Sequence, residues 1–118
     1  MQRQNYTINR GTTIYFDVNY AKNGEASTLV GATLYMTVKD KEFDKDQSDT
    51  TSLIKKTVSS HTDAANGKSV IKLSPQDTWI KPGNYYYDIQ VKESNGDVYE
   101  LSQGRFTVDN SSTNRSIS

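Results

Sequence analysis

The chain has 118 residues with 14 basic and 14 acidic side chains, so its formal net charge is zero and no overall field draws it to nucleic acid or an anionic membrane. It has no cysteine, which excludes disulfides, thiolate metal sites and cysteine nucleophiles together. One core suffices at this length, and neither the start, MQRQNYTINRGTT, nor any later stretch has the apolar run of a signal peptide or spanning helix, so the chain is expected neither to span a membrane nor to be exported by itself.

In chain order, YTIN reads as a short edge strand. TIYFDVNYA (13–21) alternates Ile14, Phe16, Val18 and Tyr20 with Tyr15, Asp17 and Asn19, the period of two that a half-buried strand requires. ATLYMTVK repeats the pattern with Ala32, Leu34, Met36 and Val38 inward. LIKKTV (53–58) and KSVIKL (68–73) are shorter strands separated by the polar loop SSHTDAANG. YYYDIQVK and VYELSQGRFTV form a hairpin through ESNGD, where Asn95 and Gly96 would supply the positive φ angles of a tight turn. Seven short antiparallel strands in about a hundred residues predict an all-β, immunoglobulin-like two-sheet sandwich with Greek-key connections over residues 1–108, followed by a polar tail at 109–118.

Only SPQDTWI suggests a helical turn, with Ser74 as cap and Pro75 at its first position; it would place Trp79 as a lid over the open end of the sandwich. Next come Pro82, Gly83, Tyr85 and Tyr87. The spacing Gly83-x-Tyr85-x-Tyr87 matches the Gly-x-Tyr-x-Cys that begins the sixth strand of immunoglobulin domains, with Tyr85 as the tyrosine corner and Tyr87 in the cysteine's place. Both are expected inward, their bulk replacing the absent disulfide, while Tyr86 points out with Asp88 and Gln90. Gly11 and Gly31 precede strands at sharp turns. Gly104 interrupts an alternating strand and is expected at a bulge. Asp77 and Asp88 would accept backbone amides at the corner.

The ordered segments YTINRGTTIYFDVNY, LVGATLYMTVKD and KSVIKLSPQDTWIKPGNYYYDIQVKESNGDVYELSQGRFTV resemble a β-sandwich module of bacteriophage virions, similar to the N-terminal domain of the phage baseplate upper protein family. The resemblance runs from residue 5 to 108 and is carried by Arg10-Gly11-Thr12, Leu29-x-Gly31-Ala32, Asp77-Thr78, Pro82-Gly83-x-Tyr85-x-Tyr87-Asp88-Ile89 and Gly104-x-Phe106-x-Val108. It implies a non-enzymatic virion component of the tail, baseplate or host-attachment apparatus, bound to other virion proteins and to copies of itself, with a head decoration or neck protein as the nearest variant. It implies no cofactor.

Catalytic and metal readings find little support. His61 is the one histidine and lies in the polar loop, where it is expected to be solvated. No phosphate-binding glycine loop or nucleophile elbow appears. Asp40, Glu42, Asp44, Asp46 and Asp49 crowd one loop but lack the glycine and closing glutamate of a calcium loop. The eight tyrosines leave a carbohydrate-binding or adhesin module as the alternative, with Tyr15, Tyr35, Tyr86 and Tyr99 as partner-facing candidates and a host surface glycan as ligand; a small hydrolase is a third reading. The Ser- and Asn-rich tail would serve as a disordered end or as an arm on a neighbour.

Overall fold

The computed structural model describes residues 2–39 and 54–110. The acidic loop from Asp40 to Asp49 and the tail beyond Asn110 lie outside them.

Among the described residues ten strands form: β1 (Gln2–Arg3), β2 (Tyr6–Asn9), β3 (Ile14–Asn19), β4 (Ala21–Lys22), β5 (Glu25–Ala26), β6 (Thr33–Lys39), β7 (Ile54–Val58), β8 (Lys68–Leu73), β9 (Gly83–Lys92) and β10 (Val98–Asp109). The seven strands legible in the sequence are β2, β3 and β6–β10; β1, β4 and β5 are two-residue additions. One sheet runs β10-β9-β6-β7, with β1 and β2 both laid along the outer edge of β10. Among the described residues the second sheet is β3 and β8, and β4 with β5 makes a separate ribbon. The chain crosses between the large and small sheets after β2, β3, β7 and β8, the Greek-key pattern of an immunoglobulin-like sandwich.

An all-antiparallel sandwich is corrected at the N-terminus. β1 and β2 pair with β10 in parallel, Gln2 opposite Ser102 and Tyr6 opposite Phe106. Parallel partners need a long connection, and here the whole domain supplies it.

The period of two puts Phe16, Val18 and Tyr20 of the first layer against Leu34, Met36, Val38, Tyr85, Tyr87, Ile89, Val91, Phe106 and Val108 of the other, all buried. Burying a side chain of this size stabilises by about 1.5–3 kcal/mol. Two local expectations change. The bulge in β10 falls between Glu100 and Ser102, not at Gly104, which stays in register opposite Tyr87. Gly104 is required for another reason: a Cβ there would stand 2.1 Å from the Gln4 carbonyl oxygen, because the segment joining β1 to β2 crosses directly over it. In the β9–β10 hairpin only Gly96 has positive φ, at 95°, and Asn95 does not. The turn is closed by Gly96 N–H to Glu93 O at 2.9 Å and Glu93 N–H to Asp97 O at 2.7 Å, which one left-handed residue satisfies.

Candidate functional site

The corner residues tie β9 to the loop before it and to its neighbours in the large sheet. The Tyr85 hydroxyl donates to the Lys81 carbonyl four residues back. The Tyr87 hydroxyl donates to Gln4 O at 2.6 Å and lies 3.0 Å from Ser102 Oγ, so the residue in the cysteine's place ties β9 to the N-terminal crossing. Burial raises its pKa. Around it Tyr6 meets Phe16 edge-on at 4.8 Å and Tyr87 at 5.4 Å, while Phe106 lies 6.4 Å from Phe16 and 6.5 Å from Tyr87. Four rings thus span the space a disulfide would bridge, with edge and tilted geometries that favour aromatic pairs.

At the end where β2 turns into β3, residues far apart in sequence meet. Gly11 N–H bonds to Thr78 O at 3.3 Å, and the buried Thr78 hydroxyl donates to Thr12 O at 2.8 Å. Ser74 caps the turn after β8: its hydroxyl accepts from Asp77 N–H at 3.3 Å, and Asp77 Oδ2 accepts from Ser74 N–H at 2.7 Å and pairs with Lys56 at 2.7 Å. Burial opposes the charge on Asp77, but Lys56 and Ser74 outweigh it and hold the carboxyl below its usual range. Trp79 is half-buried, and the Arg10 guanidinium stacks over its ring at 3.8 Å. Asp88 departs from expectation. It accepts from the Thr37 hydroxyl on β6 at 2.6 Å and takes no part in the corner, because strand alternation turns it outward.

The four partner-facing tyrosines are not brought together. Tyr35 and Tyr86 share the outer face of the large sheet, but in the β6–β9 register Tyr35 faces Gln90 while Tyr86 faces Lys39, about four residues or ~13 Å along the strand. Tyr15, 62% exposed, is on the outer face of β3. Tyr99, on β10, borders a groove of about 630 Å³ between β3 and β10, lined also by Asp17, Asn19, Tyr20, Lys22 and Ser102.

Sequence reasoning missed the polar cluster beside this groove. The Tyr20 hydroxyl donates to Glu93 Oε2 at 2.7 Å, Lys22 pairs with the same oxygen at 2.7 Å, and its ammonium stands 4.8 Å from the Tyr99 ring centre. Alternation places Tyr20 inward; nothing local indicates a partner 73 positions away. Burial and Glu93 push the Tyr20 phenol up to about 12, Lys22 and Tyr20 hold Glu93 below the usual carboxylate range, and Glu93 raises Lys22. At neutral pH all three keep fixed protonation states, so the cluster latches β4 to the end of β9 and moves no proton.

Glu100 behaves differently. Burial, then the nearby Asp88 charge, raise it to about 7, and its Oε2 accepts from Gln90 Nε2 at 2.9 Å. His61 is corrected from a solvated loop residue to an anchored one. Nε2 is 2.8 Å from Ala32 O and Nδ1 is 2.8 Å from Ser69 Oγ, with Ser69 buried. The Nε2–H tautomer satisfies both, fastening the loop to the start of β6. Among the described residues no three His, Asp or Glu side chains group as a metal site, and no helix is long and apolar enough to cross a membrane.

No protein-family model matches the chain, and no curated protein matches it. Among solved structures it is similar to the soluble domain of PmoD from a Methylocystis species, with a TM-score of 0.51, 9% identity, and coverage of 87% of this chain and 77% of that one. It also matches CopC from Methylosinus trichosporium (TM-score 0.42, 16% identity, 77% and 74% coverage) and the extracellular domain of the voltage-gated sodium channel β4 subunit (0.42, 12%, 94% of each chain). At these identities the likeness is one of fold.

Proposed function

We propose that this protein is a non-enzymatic structural component of a bacteriophage particle, in the tail, baseplate or host-attachment apparatus, and works by protein–protein assembly. One observation carries the assembly reading. The small sheet has only two strands, and the edge of β3 is unpaired among the described residues, leaving a row of backbone donors and acceptors open to a neighbour. The virion placement is supported by the ordered motifs of the resemblance. Arg10, Gly11, Thr12, Thr78, Tyr85, Tyr87 and Gly104 all hold scaffold contacts in this fold, and none converges on a reactive centre. A head decoration or neck position rests on the same features. Mass spectrometry of purified particles, with the chain located in a particle map, tests the placement; absence from the particle ends it.

A carbohydrate-binding module is favoured by one feature, the groove in which Tyr99 stands beside Asp17, Asn19 and Ser102, an aromatic ring among polar groups. Binding on a glycan array that Tyr99→Ala removes supports it; an array without signal sinks it.

A further inference from the structure

We infer that copies of this chain join head to tail, the free edge of β3 in one copy pairing with the free edge of β7 in the next. This contact rests on the assembly reading above and specifies its interface. Tyr20 N–H bonds to Gly67 O at 2.7 Å, which extends the β3–β8 register by one position beyond Asn19 and Lys68. In an antiparallel ladder the bonded pairs alternate, so Ile14, Phe16 and Val18 bond to β8 and the backbone groups of Tyr15, Asp17 and Asn19 face the open edge. β3 is six residues long, with no proline, glycine or bulge to blunt its edge, and Asp17 is its one charge. The far edge of β8 differs: Asp63 closes on it with bonds of 3.0 and 2.9 Å to Lys68.

Charge then selects the partner. A two-fold pair of β3 strands centred on Asp17 would set two carboxylates opposite each other, which is unfavourable. β7 ends the large sheet, and its far side is unpaired among the described residues. Of its two lysines, Lys56 is committed to Asp77 at 2.7 Å, whereas Lys55 is exposed and has no ion pair among the described residues. Asp17 is likewise exposed and without an ion pair among the described residues. The strands are of similar length, six and five residues, and the register that puts Lys55 opposite Asp17 pairs their charges. The groove places the open edge of β3 on the β10 side of the sandwich, while β7 is at the opposite end of the order β10-β9-β6-β7. One copy therefore uses both edges at once, and the contact repeats into a ring or filament.

The test is sedimentation velocity of the full chain up to millimolar concentration. Expected are species beyond a dimer that grow with concentration and shrink with salt. Asp17→Lys and Lys55→Asp, each checked by circular dichroism for an unchanged fold, should separately raise the concentration for half-assembly at least ~10-fold. An equimolar mixture of the two should assemble again, since each then offers the edge the other needs. A wild type that stays monomeric, a species that stops at a dimer, charge reversals without effect, or a mixture no better than its parts each overturns the contact. A monomer found in purified particles would overturn the contact and leave the virion placement standing.

Discussion

The corner side of the sandwich and its β3 edge face the same task, closing two sheets over one core, and meet it with different means. At the corner, Tyr6, Phe16, Tyr87 and Phe106 fill the interior, the Tyr85 and Tyr87 hydroxyls find backbone carbonyls, and the crossing N-terminal segment leaves no room even for a methyl group at Gly104. Along β3 the second sheet is one strand pair among the described residues, a groove enters between the layers, and the Tyr20, Glu93 and Lys22 cluster bridges the gap with polar contacts. The two regions adjoin, since Gln4, Tyr6, Phe16 and Ser102 also line the groove, and the partner surface proposed above lies where the small sheet has its open edge.

That contrast breaks most directly in the core. Phe106→Ala, at a fully buried ring, should cost about 3–5 kcal/mol in urea denaturation, whereas Tyr15→Ala on the open edge should leave the midpoint unmoved. Gly104→Ala should cost roughly 2–3 kcal/mol, because its methyl group displaces the Gln4 crossing; hydrogen exchange should show β1 and β2 amides losing protection before those of β6. Tyr87→Phe keeps the ring and removes the bonds to Gln4 and Ser102, for a loss of about 1–2 kcal/mol by the same denaturation.

The smallest effect is one of pH. Glu100 has a folded pKa near 7, above its unfolded value of 4.5, so its favourable contribution is fully present below 4.5 and is lost as pH rises through 7. Glu100→Gln should therefore stabilise the domain at pH 8 by on the order of 1 kcal/mol, discounted for solvent screening, and leave it unchanged at pH 4. Equal melting shifts at the two pH values would remove Glu100 as the source.

Alternation along the chain was enough to assign the inward faces of β3, β6 and β9, because a strand's side-chain period is local and needs no knowledge of its partner. Alternation from Gly83 also turned Tyr85 and Tyr87 inward for the same reason. The parallel docking of β2 on β10, the need for glycine at 104 and the anchoring of His61 were not legible. Each depends on a contact across 29 or more positions, as between His61 and Ala32, or on the path of a remote segment, as with Gln4 over Gly104. The sequence by itself determined the strands and which way their side chains point, since steric and hydrophobic periodicity act between near neighbours. Only the tertiary structure decided which strand edges and charges among the described residues find a partner, because an edge is defined by the strand that comes, or does not come, to pair with it.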